Sequence, residues 1–188
     1  GDVNMNQKYL DKLQQLDWTA YEGDNYIEFE KSSPAGEDVL FSTGKDNFVD
    51  EIKEYAADFD PEEHIEMWVA AKQNGGKNIP SIRELVEDAD AIDKMLQELA
   101  IAMCEIQNQV EQEQEDDETA NELLSEYESL LGDEWCENHT IEICSYKNGK
   151  RHLMIDGDSI AYGTPGEIEL VLHTLLCMTK RNLIQHLR

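Results

Sequence analysis

Nine apolar residues, Ile82, Leu85, Ala89, Ile92, Leu96, Leu99, Met103, Ile106 and Val110, recur at alternating spacings of three and four through four heptads. That regularity predicts a helix with one continuous apolar seam, of the kind that packs along another helix. At ~1.5 Å per residue the seam is about 43 Å long. Such a face is not left in water, so the rest of the chain, or a second copy of it, must supply a cover. Ser81 and Glu84, after Pro80, form a capping box that fixes the start of the helix. Val86 and Ala100 widen the stripe beyond a two-stranded seam. This favours closure from within the chain, with monomer and homodimer both left open.

The internal candidate for the cover is a helix over residues 119–131, where Leu123, Leu124, Tyr127, Leu130 and Leu131 lie on one side. It spans about 20 Å, so N-terminal elements or a partner copy must close the remainder. Residues 111–118 hold six acids, Glu111, Glu113, Glu115, Asp116, Asp117 and Glu118. Like-charge repulsion predicts a solvated loop or a frayed helix end there.

The segments before the seam read as a helix, a small sheet and a helical pair. Tyr9, Leu10, Leu13 and Leu16 have helical spacing. Residues 18–21, 26–30 and 39–43 are short β-rich runs separated by Gly23-Asp24-Asn25 and Ser33-Pro34-Ala35-Gly36, which predicts an antiparallel meander. Tyr26, Glu28 and Glu30 alternate with Ile27 and Phe29, giving one wet and one packed face. Asp46 is the expected cap of a helix with Phe48, Ile52, Tyr55, Ala56 and Phe59 on one stripe. Asp60-Pro61-Glu62-Glu63 starts the next, with Asp60 as N-cap, Pro61 at the first position and Glu63 as the capping-box carboxylate. Ile65, Trp68 and Val69 are expected to face the core, and Gly75-Gly76 to end the helix.

After the seam, residues 140–146 and 151–155 read as a hairpin about Asn148-Gly149. Thr164-Pro165-Gly166-Glu167 caps a helix that is uncharged from Leu170 to Thr179, a composition expected of a central core element. Strand, turn, strand and helix also occur in that order over residues 26–59, so two related units are in view, without enough residue identity to claim a repeat. The expected fold is α+β, with small antiparallel sheets packed on helices and one long heptad-patterned central helix. Divisions fall at 1–80, 81–131 and 132–188, forming one or two compact units that share a core.

Charge narrows the partners. The 42 Asp and Glu against 15 Lys and Arg leave a net −27 among 188 residues. Residues 95–146 contain 15 acids and no base. A phosphate backbone demands local positive charge, so direct nucleic-acid binding is not expected, and a charge-guided partner would be a basic protein. The same charge also confers solubility without any partner. Cys104, Cys136, Cys144 and Cys177 include no CxxC pair, which argues against a zinc site and for reduced thiols, two of them in apolar helical patterns. No apolar run reaches membrane-spanning length and residues 1–30 hold no secretion-signal core, so the expected location is cytoplasmic, with Gly1 read as a leftover of cloning.

Three segments, Ser33-Pro34-Ala35-Gly36-Glu37-Asp38, then Asp58-Phe59-Asp60-Pro61-Glu62-Glu63-His64-Ile65-Glu66-Met67-Trp68, then Ile79-Pro80-Ser81-Ile82-Arg83-Glu84-Leu85, carry a resemblance. Over about residues 18–100 the chain resembles small acidic proteins of gut-bacterial genomes, often found in phage-like or mobile regions. That resemblance implies association with mobile elements and no particular activity. It does not extend over residues 115–188.

Candidate chemistry is sparse. Glu63, His64 and Glu66 offer imidazole and carboxylate donors suited to zinc or manganese, but no second His stands at HExxH spacing. Asp156 and Asp158, about Gly157, suit a cation or a tight turn. His139 is near Cys136 in sequence, and Cys177 stands one helical turn from His173 in an apolar helix, the setting of an inert thiol. His152 and His186 belong to no motif, and neither a phosphate loop nor a nucleophile elbow is present. No catalytic residue and no cofactor is implied. The expected function is therefore an acidic, non-catalytic interaction module that binds a basic protein through residues 111–118. The alternatives are a metal-dependent enzyme using His64 with Glu63 or Glu66, and a DNA mimic, although the seam helix has only Glu98 and Glu105 between Met95 and Val110.

Overall fold

The computed structural model describes residues 5–77, 79–146 and 149–186, which fall into two compact units, Gly1–Asn108 and Gln109–Arg188. The boundary lies inside one helix rather than after residue 80 or 131. The fold is α+β, with two small three-stranded antiparallel sheets and one long helix.

In the first unit, α1 (Gln7–Gln15) starts at Asn6, whose side chain accepts the Lys8 N–H. Strands β1 (Thr19–Glu22), β2 (Tyr26–Ser32) and β3 (Asp38–Gly44) form the expected meander. Burial alternates: Ile27 and Phe29 of β2 and Val39, Phe41 and Thr43 of β3 point inward. Phe29 pairs with Phe41 across the ladder, and their rings stack at 5.3 Å. Tyr55 stacks on Phe41 at 4.2 Å and Trp18 meets its edge at 5.9 Å, so one aromatic cluster fixes sheet and helix together. Tyr55 belongs to α2 (Phe48–Asp58), which starts at Asn47 rather than Asp46 and has no side-chain cap there. α3 (Pro61–Gln73) is capped by Asp60, whose carboxylate accepts the Glu62 and Glu63 N–H groups. It buries no residue fully, and Ile65, Trp68 and Val69 are only half-buried.

The long helix α4 (Ile82–Leu131) opens with the expected box. Ser81 donates its N–H and its hydroxyl to Glu84 Oε2, each at 2.7 Å, and the Glu84 N–H returns to Ser81 Oγ at 3.3 Å. Leu85, Ala89, Ile92, Leu96, Leu99 and Met103 are buried, Ile106 and Val110 half-buried, and Ile82 is 64% exposed. The stripe is closed within the first unit. Gln97 Nε2 donates to the Ala56 carbonyl at 3.0 Å, tying α4 to α2, and the Ala35 N–H donates to Asp88 Oδ1 at 2.8 Å, tying it to the β2–β3 turn.

The acidic tract departs from expectation. Residues 111–118 are helical, and residues 119–131 continue the same helix instead of folding back over the seam. Glu and Gln are good helix formers, while like-charge pairs cost only a few tenths of a kcal/mol. Gln112 Nε2 also donates to Asp116 at 2.9 Å and Gln114 Nε2 to Glu118 at 3.3 Å, so glutamines bridge what would otherwise be bare repulsion.

The second unit joins residues 109–131 of α4 to α5 (Asp133–Asn138), β4 (Ile141–Ser145), β5 (Arg151–Ile155), β6 (Asp158–Gly163) and α6 (Pro165–His186). Leu123, Leu124 and Tyr127 pack on a core of Ala120, Ile141, Leu153, Ile168 and Leu172, and so cover this sheet rather than the seam. Strand β6 was not expected from sequence. Asp156 (φ 51°) and Gly157 (φ 83°) form a two-residue loop with positive φ at both positions, the geometry of a type I′ hairpin. Asn148 of the expected hairpin turn lies outside the described residues. α6 carries the expected cap, with the Thr164 N–H on Glu167 Oε2 at 2.7 Å and the Glu167 N–H on Thr164 Oγ1 at 3.3 Å. Among its described side chains it buries one stripe, through Ile168, Leu172 and Leu176; Leu170 and Met178 are 67% and 59% exposed, so it is not the all-round core helix its composition suggested.

Leu96→Asp places an unpaired charge in the closed stripe and is expected to unfold the first unit, losing more than about 3 kcal/mol, as read by chemical denaturation. The caps predict an acid limb. Hydrogen bonds from Ser81, first its hydroxyl and then its N–H, hold the Glu84 carboxyl below its usual range, and those from Thr164, first the N–H, do the same for Glu167. A depressed folded value gives stability that is present above the ordinary glutamate pKa and lost as pH falls through the folded one. Glu84→Gln and Glu167→Gln should each be less stable than the parent at about pH 7, and the difference should disappear as pH falls through the depressed folded values.

Candidate functional site

The six acids of the predicted interaction face do not act alike. Asp117 is spent internally: Arg151 donates Nε to Oδ1 at 2.9 Å and Nη2 to Oδ2, a bidentate pair that is mostly shielded from water. Asp116 is half-buried, and a Cβ added at Gly166 would come within 2.8 Å of its Oδ2. Glu113 is half-buried as well, whereas Glu111, Glu115 and Glu118 are exposed. Glu122, one turn further, is exposed too. Residues 111, 115, 118 and 122 fall on one side of a helix, and so form a row of carboxylates about 16 Å long.

A second cluster lies in the first unit. The tight turn Ser33–Glu37 is closed by the Ser33 N–H on the Glu37 carbonyl at 2.7 Å, with Gly36 at φ +83°. It presents the Glu37 carboxylate to α3, where Trp68 Nε1 donates to Glu37 Oε2 at 3.1 Å and His64 Nε2 stands 3.4 Å from the same oxygen. Asp88, on the adjoining turn of α4, completes a group whose ligand atoms all lie within 4.8 Å of one another. His64 thus meets Glu37 and Asp88, and neither Glu63 nor Glu66 joins that group. His64 also lines a cleft of about 290 Å³ with Tyr55, Phe59, Asp60, Glu63 and Met67, and Asp88 lines another of about 330 Å³ with Pro34, Ala35, Pro80, Glu84 and Glu87. Sequence reasoning reached His64 but not its partners, which come from a turn and a helix 27 and 24 residues away. The available signal was Asp88 itself, a carboxylate flanking the apolar seam between Leu85 and Ala89.

The remaining candidates are occupied or exposed. Asp156 Oδ2 pairs with His139 Nδ1 at 2.7 Å and Oδ1 accepts the Thr140 N–H at 2.9 Å, contacts that hold its carboxyl below the usual range, the imidazole bond contributing most. It fastens the strand ends, while Asp158 is exposed at the start of β6. All four cysteines are free: Cys104 and Cys144 are half-buried, Cys136 and Cys177 exposed. Cys177, expected to be buried, lies in the open with Sγ 3.7 Å from His173 Nδ1. His152 Nδ1 is 2.7 Å from Ser159 Oγ and its ring lies between Tyr146 and Tyr162, both at 4.5 Å. Among the described residues no carboxylate orients that imidazole, so the hydroxyl has no triad behind it.

No family model matches the chain, and no curated protein or solved structure matches it. Among the described residues no helix is long and apolar enough to cross a membrane.

The division of labour along the acidic tract is testable by stability alone. Asp117→Ala strips Arg151 of its partner and should cost about 1–3 kcal/mol in denaturant titration, whereas Glu115→Ala should leave the midpoint within about 0.5 kcal/mol of the parent.

Proposed function

We propose that the chain is a non-catalytic interaction module that receives a basic protein segment on the exposed carboxylate row of α4. The observation that carries this reading is the alignment of Glu111, Glu115, Glu118 and Glu122 on one helical side, in a stretch of sequence with no Lys or Arg between residues 95 and 146. Among the described cations of the second unit, Arg151 pairs with Asp117, Lys180 with Glu126 and Lys150 with Glu167. A partner with Lys or Arg at matching helical spacing meets the row side chain for side chain, each contact being exposed, salt-sensitive and individually weak. Duplex DNA carries about ten charges over the ~16 Å that this row fills with four, so a basic protein fits better than a nucleic-acid-binding enzyme deceived by mimicry.

The chain on this reading works in the cytoplasm as a component of a mobile element, in keeping with its resemblance to small acidic proteins of such regions. What supports a monomeric working form is that the stripe from Leu85 to Met103 is closed within one chain and asks for no second copy.

The test is binding of a synthetic Lys- and Arg-rich helical peptide, followed by calorimetry across ionic strength, with pull-down from cell extract to name the natural partner. Affinity should fall steeply between about 0.05 and 0.2 M salt, and Glu115→Lys with Glu118→Lys should weaken it by tenfold or more. Equal binding by that charge-reversed variant, or retention of duplex DNA by the parent at about 0.15 M salt, contradicts the proposal.

A further inference from the structure

We propose that Glu37, His64 and Asp88 form a binding site for one divalent transition-metal cation of the zinc or manganese kind. Two buried polar groups motivate it, and each is unexplained by the protein's own contacts. Asp88 is 2% exposed, and the donor that reaches it is the Ala35 N–H at Oδ1; among the described residues no Lys or Arg pairs with it. Burying a carboxylate with a single neutral donor is costly, and the cost rises with a second carboxylate, Glu37, nearby. His64 Nε2 is shut off from water and has no hydrogen-bond partner. Glu37 Oε2 stands 3.4 Å away without completing one.

A cation at the centre of the group satisfies both. It accepts the lone pair of the imidazole and offsets both carboxylate charges. The spacing suits this. With metal–ligand bonds of about 2.1 Å the edge of a tetrahedron is about 3.4 Å, the observed separation of His64 Nε2 and Glu37 Oε2, and the other separations, all within 4.8 Å, need to close by at most about 1.4 Å. The support around the ligands is built as well. Trp68 Nε1 holds Glu37, the Ala35 N–H holds Asp88, and the Phe59 ring lies against His64 at 5.6 Å. Groups that fix ligand orientation in this way characterise built metal sites. The imidazole selects zinc or manganese over calcium or magnesium, which prefer all-oxygen sets. Three protein donors leave a coordination position for water or an incoming ligand, unlike the closed four-ligand set of a structural zinc.

The chain's charge makes a control essential, because an acidic surface gathers cations without any site. The protein is stripped with chelator, dialysed into about 0.15 M salt to screen surface charge, and titrated with zinc and with manganese by calorimetry. Cobalt absorption reports the coordination number. One saturable site per chain is expected. His64→Gln leaves the formal charge unchanged and should weaken binding by at least tenfold; Glu37→Gln should do likewise, and the paired surface change Glu115→Gln with Glu118→Gln should leave it intact. Both site variants lie at positions that solvent reaches, His64 being 14% exposed, so they keep the test open if Asp88→Asn unfolds the unit. Undiminished binding in His64→Gln, or no saturable binding below about 1 mM, overturns the proposal.

Discussion

The apolar stripe of α4 from Leu85 to Met103 is the constraint to which the first unit answers. It has to be dry, and the chain dries it from within, with α2 tied to α4 through Gln97 and the β2–β3 turn through Asp88, while α1 packs on α2 through Tyr9 and Phe48. Each of those elements is too small to stand alone: a nine-residue helix, a three-stranded sheet and an eleven-residue helix are marginal in water by themselves. Their stability is borrowed from the surface they share. Phe29, Phe41 and Tyr55 hold sheet to helix, Gln97 and Asp88 hold α4 to both, and the polar contacts fix a register that apolar contact alone leaves loose. The same contact that sets the register brings Asp88 under the β2–β3 turn, and hence beside Glu37 and His64. The candidate metal site is a by-product of closing the stripe.

Local rules read from sequence succeeded wherever the determining residues are close together. The Ser81–Glu84 and Thr164–Glu167 boxes, the Asp60 cap and the first meander each depend on residues within a few positions, and each is present. The burial of the seam from Leu85 to Met103 followed from spacing alone. Strand β6 was legible but not drawn: the tight turn at Asp156-Gly157 was expected, and that dipeptide is as good a hairpin signal as Asn148-Gly149, yet no strand was placed beyond it. The continuity of α4 through residues 111–118 follows once a few tenths of a kcal/mol of repulsion are set against the helix propensity of six Glu and Gln residues.

Other features were out of reach for a physical reason. The Asp117–Arg151 pair spans 34 residues, and nothing near either residue distinguishes this acid from its five neighbours. Only the second sheet, placing Arg151 at the start of β5, makes Asp117 structural and leaves Glu115 and Glu118 on the surface. The Glu37–His64–Asp88 group has the same character, being assembled from a turn and two helices with no spacing motif. The exposure of Leu170 and Met178 is a third case: composition says how apolar α6 is but not how many neighbours it has, and a small sheet covers only one stripe of it.

A chain with net charge −27 folds because most of its acids are never asked to leave water. The carboxylates of the α4 row stay hydrated and add little self-energy beyond mutual repulsion, which salt at physiological strength screens within about 8 Å. The few acids drawn inside, Asp88 and Asp117, are each given a donor, but not equally. Asp117 receives a full guanidinium fork, so its charge is balanced within the fold. Asp88 receives one backbone N–H, although it is the more deeply buried of the two. In a chain this short of cations, an imbalance at the drier of the two sites is the place where an external cation gains most by binding, because its attraction to the carboxylate is least weakened by water.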